Sequence, residues 1–170
     1  MLIRVGVLTV SDRSSRGERP DDSGPALEEA IIGQGWQVIR RAILPDDMES
    51  LKEGLSSWAD SGEMDVILTT GGTGFSPRDV TPEATQAIIE RSTPGLVEAM
   101  RAESMRVTSH AMLSRATAGI RKNTLIVNLP GSPKGAIENL RVILSVIPHA
   151  VQLLREDPAA EAGHEPASRA

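Results

Sequence analysis

The chain has 170 residues, 39% hydrophobic and 24% charged, with a formal net charge of −5 at pH 7; this suits one globular domain with a sizeable core and is short for two. Two Trp, one Phe and no Tyr argue against a function built on base stacking or an aromatic cage. The absence of cysteine excludes disulfides, thiolate chemistry and Cys-bound zinc.

Ile3–Val10 (IRVGVLTV) is an apolar, β-branched run of strand length, expected as a buried parallel strand. Residues 11–22 are polar and punctuated by Gly and Pro, and read as a loop. A helix is expected over Ser23–Ile32, with Ser23 as N-cap and Gly33 and Gly35 ending it. Trp36–Leu44 reads as a second strand, broken by Pro45-Asp46-Asp47. Asp46 or Asp47 can cap a helix reaching Trp58. Asp65–Thr70 is a third strand that runs straight into Gly71-Gly72-Thr73-Gly74.

Thr81-Pro82-Glu83 opens a helix to about Arg91, with Thr81 as N-cap and Pro82 at the first position. Pro94 starts another, with Leu96, Val97, Met100 and Met105 on its apolar side. Thr117–Arg121 and Thr124–Asn128 form two strands around a Lys122-Asn123 turn. One long helix is expected from Lys134 to Leu154, kinked at Pro148. Residues 157–170 are rich in Ala, Glu and Pro and are expected to be a disordered tail behind a single domain spanning 1–156. Strands alternating with helices imply an α/β fold, a mostly parallel sheet covered on both faces. No apolar run reaches membrane length and no signal-peptide layout precedes the first strand, so a cytoplasmic protein is expected.

Ligands of such sheets sit at the carboxyl ends of the strands. Ser11-Asp12, Pro45-Asp46-Asp47, the glycine loop and the Asn128–Pro133 turn all meet that rule. A glycine loop after a strand lets a ligand approach backbone N–H groups closely, making an anion nest to which the Thr73 hydroxyl adds a donor. It is neither a Walker A nor a dinucleotide fingerprint, because no Gly-Lys-Ser/Thr follows and Pro77 stands where a third glycine would fall. A tight turn needing glycine for geometry alone is the plainer reading. Asp79 and Asp46 can each be a helix cap. Two carboxylates beside an anion nest can also share Mg²⁺ with phosphate oxygens, with Asp47 as substitute for Asp46. Residues 91–141 carry 8 basic against 3 acidic side chains, whereas residues 1–90 carry 8 against 16. That asymmetry suits a small anionic ligand held between a cationic segment and a few carboxylates. No run of 5–8 Lys/Arg supports nucleic-acid binding. Asn128 offers amide groups and Lys134 a charge for a second anion or polar heterocycle. His110 and His149 have no relay partners in sequence and read as ordinary histidines.

Residues 70–84 (TGGTGFSPRDVTPEA) resemble the signature of the molybdopterin adenylyltransferase family, which includes MogA, MoaB and the gephyrin G domain. Leu8–Asp12, Pro45-Asp46, Met112–Arg115, Gly119–Arg121 and Asn128–Gly131 agree in the same order, so the resemblance spans about residues 3–155. It implies a three-layer α/β/α fold and a homotrimer. It implies Mg²⁺- and ATP-dependent transfer of AMP to molybdopterin, with a molybdate-insertion protein as a further partner. Carried over by position, Asp46 and Asp79 are the catalytic and Mg²⁺-binding acids, and Gly71, Gly72, Thr73, Gly74 and Ser11 lie by the nucleotide phosphates. Ser104, Ser114, Asn128, Pro130, Gly131 and Lys134 fall on the pterin side. The alternative is a MoaB-type module that binds molybdopterin or a nucleotide without catalysis.

Overall fold

The computed structural model describes residues 1–158; most of the tail expected from residue 157 onward therefore lies outside the described residues. The elements, in order, are β1 (Arg4–Val10), α1 (Asp12–Ser15), α2 (Ser23–Gly33), β2 (Gln37–Leu44), α3 (Met48–Asp60), β3 (Val66–Thr70), α4 (Thr81–Ile88), β4 (Arg91–Ser92), α5 (Pro94–Met105), a 3-10 turn (Ser109–Leu113), β5 (Ala118–Arg121), β6 (Thr124–Leu129), α6 (Pro133–Ile143) and α7 (Ile147–Leu154). They form one six-stranded sheet of order β2-β1-β3-β6-β5-β4. β2, β1, β3 and β6 run parallel, and β5 and β4 add an antiparallel edge.

Alternation along the strands sorts their side chains into two cores. Val5, Val7, Val66, Leu68, Val127 and Leu129 meet α2, α5, α6 and α7 on one face. Leu8, Val10, Ile67 and Ile126 meet α3 and α4 on the other. The result is the expected three-layer arrangement. Gly6 sits mid-strand because the second layer presses against it. A Cβ there would lie 2.5 Å from Met64 Sδ and 2.9 Å from the Trp58 ring, and the β1–β2 register shifts at the same place.

Five local expectations change. Residues 12–15 form the short helix α1, capped by Ser11, within the expected loop. Ser23 is not a cap; its hydroxyl donates to the Gly131 carbonyl at 2.7 Å. Thr81 is not a cap either, because its hydroxyl donates to the Gly71 carbonyl. The helix expected to reach Arg91 stops at Ile88. There the backbone turns to pair with β5, Glu90 N–H donating to Ile120 O at 2.8 Å and Thr93 N–H to Ala118 O at 3.0 Å. The long C-terminal helix is two, bent by 65°. Pro148 would clash with the carbonyl of Leu144 in a continuous helix, so the break falls over residues 144–146 and Pro148 sits in the first turn of α7. Among the described residues no single helix is long and apolar enough to cross a membrane.

At the amino ends of the strands, Asp65 ties β3 to β1 and to the last turn. Its carboxylate, 4% exposed, accepts from Arg4 N–H, Arg4 Nη2 and both Nε and Nη2 of Arg155, at 2.6–3.0 Å. Burial pushes the Asp65 carboxyl up, but the hydrogen bonds from Arg4 and Arg155 outweigh it and hold the pKa below the usual carboxylate range. A lowered folded pKa gives stability that is present above the unfolded value and lost as pH falls through the folded one. Asp65→Ala is expected to cost about 3 kcal/mol, the low end for breaking a buried ion pair, measured as the drop in urea midpoint at neutral pH.

The chain leaves β1 for β2 on one side and crosses back to β3 on the other. The crevice outside the carboxyl ends of β1 and β3 is therefore the natural ligand position.

Candidate active site

The loop after β3 is pinned by its own backbone. Gly71 N–H donates to Leu129 O at 3.2 Å, Thr81 N–H to Gly72 O at 3.1 Å, and the Thr70 hydroxyl to Pro130 O at 2.6 Å. Gly71 and Gly72 take φ of +105° and +63°, which strains any side chain. A Cβ on Gly72 would also strike the Thr81 hydroxyl and come within 3.0 Å of Asp46 Oδ1. Among the described residues no protein group accepts from the N–H of Gly72 or Thr73. Two adjacent backbone donors of the loop are thus left without a protein acceptor, and such donors are what an anion nest is built from.

Both aspartates stand against this loop. Asp79 Oδ2 accepts from Gly74 N–H at 3.0 Å and Ser76 N–H at 3.2 Å, and Asp46 Oδ2 accepts from Asp12 N–H at 2.9 Å. Each carboxylate keeps its Oδ1 free of hydrogen bonds among the described residues. Burial pushes the Asp46 carboxyl up, and the like charges of Asp12 and Asp79 add to that push. Asp46, Asp79, Gly71, Gly72 and Ser11 line one polar cavity of about 370 Å³, to which residues 19–23 also contribute. No group of three His, Cys, Asp or Glu able to hold a metal alone occurs among the described residues. Two carboxylates with open oxygens fit Mg²⁺ completed by phosphate and water, which is its usual habit.

A second cavity of about 320 Å³ opens on the other side of the loop. Thr73 and Gly74 wall it, Ser104, Ser114 and Pro130 line it, and Val97, Met100 and Leu113 make most of it apolar. The glycine loop is thus a partition: its first two residues face one cavity and its last two the other.

Three residues expected on the pterin side are placed elsewhere. Asn128 is fully buried. Its amide donates to the hydroxyls of Thr69 and Thr85 at 3.0 and 2.9 Å, and its carbonyl accepts from Thr117 N–H, so it knits β6 to β3 and α4 and reaches neither cavity. Gly131 lines the polar cavity instead, and a Cβ added to it would lie 3.2 Å from Gly71 Cα. Lys134 is 80% exposed beside Glu138 and lines neither. Asp47 caps α3 through Ser50 N–H at 2.9 Å and stays outside the site. His110 is exposed and among the residues lining the apolar cavity.

Other residues emerge only in three dimensions. Arg101 enters the apolar cavity, its guanidinium donating to Ser114 O at 3.2 Å. It lies three residues before Ser104 on α5, a spacing that shares a helix face and could have found it. Asn139 donates to Ser104 Oγ at 3.2 Å. Arg115 clamps the partition, donating from Nε to Gly74 O and from Nη2 to Asp79 O, both at 2.6 Å, while pairing with Glu83. Lysine has no fork to hold two carbonyls at once. Arg115→Lys is expected to speed amide exchange over residues 72–76 by about tenfold, the scale of one lost charge-assisted hydrogen bond, with exchange mass spectrometry as the check.

Comparison with known proteins places the chain in a family. Residues 6–149 match the family profile described as "probable molybdopterin binding domain". A gephyrin of Dictyostelium discoideum is 45% identical over 91% of the chain, although the chain spans only 23% of that relative's length. The molybdopterin adenylyltransferase of Helicobacter pylori is 39% identical, over 89% of the chain and 88% of the relative. Among solved structures, MoaB of Thermus thermophilus superposes with a TM-score of 0.86 at 49% identity, covering 92% of the chain and 99% of that structure.

Proposed function

Because the chain belongs to the molybdopterin-binding domain family, we propose that it transfers AMP from ATP to the terminal phosphate of molybdopterin and releases pyrophosphate. The observation that carries this reading is the partition: one glycine loop with two carboxylates and a polar cavity on one side, and an apolar cavity with a guanidinium on the other. Two anionic substrates have to meet, and the loop between the cavities is where their phosphates would do so.

The reaction forms one P–O bond and breaks another. An oxygen of the pterin phosphate attacks the α-phosphorus of ATP, and the bond to the bridging oxygen breaks, its electron pair leaving with pyrophosphate. No covalent enzyme intermediate is required, so alignment and charge compensation can supply the catalysis. The N–H groups of Gly72 and Thr73 would donate to phosphate oxygens. Asp46 and Asp79 would hold Mg²⁺, which when bound neutralises charge on the α-phosphate and the departing pyrophosphate. Arg101 would draw the pterin phosphate toward the partition while the apolar wall excludes water from the ring.

The name of the Helicobacter pylori relative supports the adenylyl-transfer chemistry. The decisive experiment incubates purified protein with molybdopterin, ATP and Mg²⁺ and follows pyrophosphate and adenylylated pterin. Product formation is expected. Tight pterin binding without product would leave a carrier module, and substituting GTP tests nucleotide choice. The homotrimer belongs to this reading too: Met105, Val107, Met112 and Leu113 are exposed beside the apolar cavity and offer a surface to a second copy. Light scattering in solution measures that state. Dependence on ATP supports a cytoplasmic location, with a molybdate-insertion protein as recipient of the product.

A further inference from the structure

We infer that the Asp12–Arg78 ion pair, which lies outside both cavities, is the positioning device that sets the Asp46 carboxylate against Asp79. Asp12 and Asp46 are bound reciprocally: Asp12 N–H donates to Asp46 Oδ2 at 2.9 Å, and Asp46 N–H donates to Asp12 Oδ1 at 3.1 Å. Arg78 closes the arrangement, donating from Nε to Asp12 Oδ2 and from Nη2 to Asp12 Oδ1, each at 3.0 Å. Neither Asp12 nor Arg78 lines the polar cavity, so neither is placed to touch what fills it.

Three loops from three strand ends are joined by these four bonds: that after β1 through Asp12, that after β2 through Asp46, and the glycine segment through Arg78. Arg78 also precedes Asp79 directly in the chain. The segment that carries one carboxylate therefore carries the cation that holds the support of the other. A fork-to-carboxylate pair fixes direction as well as distance. With the guanidinium removed, Asp12 and Asp46 would be two neighbouring carboxylates with no opposite charge between them, and the cheapest response is for Asp46 to swing away. The pair is exposed on its Arg78 side, 64% against 22% for Asp12, and exposed ion pairs contribute little to global stability. Loss of Arg78 should therefore disturb the site far more than the fold.

The activity arm of the test rests on the adenylyl-transfer reading; the binding arm needs only Mg-ATP. Arg78→Gln, Arg78→Lys and the double variant Asp12→Asn/Arg78→Gln are compared with the wild type. Arg78→Gln is expected to lower kcat about thirtyfold and leave KM for molybdopterin within about twofold. It should also raise about tenfold the Mg²⁺ concentration that gives half of the ATP-induced thermal shift. The melting temperature without ligand should not change. Arg78→Lys should fall between the two. The double variant should recover at least about fivefold of the lost kcat, because the introduced asparagine keeps an acceptor for Asp46 N–H while the repulsion is gone. A double variant no better than Arg78→Gln overturns the inference, because Arg78 would then act on substrate directly. Loss of unliganded stability in proportion to activity overturns it as well. If the wild type is stabilised by Mg-ATP and makes no product, adenylyl transfer fails and the thermal arm alone decides; if Mg-ATP does not stabilise the wild type, both ideas fail.

Discussion

Asp79→Asn is expected to slow adenylyl transfer about a thousandfold, some 4 kcal/mol of transition-state stabilisation, while molybdopterin affinity stays within about threefold of the wild type. The asparagine carbonyl can still accept from the N–H groups of Gly74 and Ser76, so the partition keeps its shape. What disappears is a unit of negative charge in the polar cavity, where the proposed reaction puts the nucleotide phosphates. The cavity across the loop, which we propose for the pterin, is lined by Ser104 and Ser114 rather than by Asp79. Single-turnover rates and pterin binding by fluorescence, measured on the same preparation, separate the two effects. A variant that binds pterin poorly yet turns over normally once loaded would remove Asp79 from the chemistry.

Asp46→Asn is expected to lose activity on the same scale, about a thousandfold, and to raise the melting temperature of the ligand-free protein at neutral pH. Burial raises the Asp46 carboxyl pKa, helped by the nearby charges of Asp12 and Asp79. A carboxyl whose pKa is higher folded than unfolded binds its proton more tightly in the native state, so stability falls as pH rises through that window. The penalty is complete above the folded value and absent below the unfolded one. The asparagine should therefore stabilise most at pH 7 and give no advantage near pH 3. Scanning calorimetry of both proteins across that range is the check; a variant less stable at pH 7 would mean the Asp12–Asp46 hydrogen bonds outweigh the charge penalty. A carboxylate proposed for catalysis is thus held at a cost to the empty fold, a common trade at active sites.

The layer architecture was legible because it depends on periodicity. β1, β3 and β6 are mostly apolar and buried almost throughout, and the helices between them carry one apolar side. The glycine loop and both aspartates were legible because strand ends in such sheets converge. What escaped is what long-range hydrogen bonds decide. Ser23 looks like a helix cap from its neighbours, but its hydroxyl answers to Gly131, 108 residues away. Thr81 likewise serves the Gly71 carbonyl. Asn128 falls on the pterin side by resemblance, but its side chain is consumed by Thr69, Thr85 and Thr117. β4 has only two residues, too few for any pattern, and exists because β5 offers it an edge. Arg115 stood beside Ser114 in the sequence, but its grip on two loop carbonyls depends on a chain reversal that no local spacing encodes.

The Asp65 clasp has a consequence for architecture at larger scale. Arg155 reaches both Asp65 and the carbonyl of Leu2, at 3.1 Å, so the two ends of the described fold are buttoned together at the pole away from the cavities. A partner joined directly at residue 2 or residue 155 would attach at that pole, at the end of the strands opposite the cavities. Such a module can be spliced into a longer polypeptide, or cut and rejoined as a circular permutant, without its entrances being obstructed.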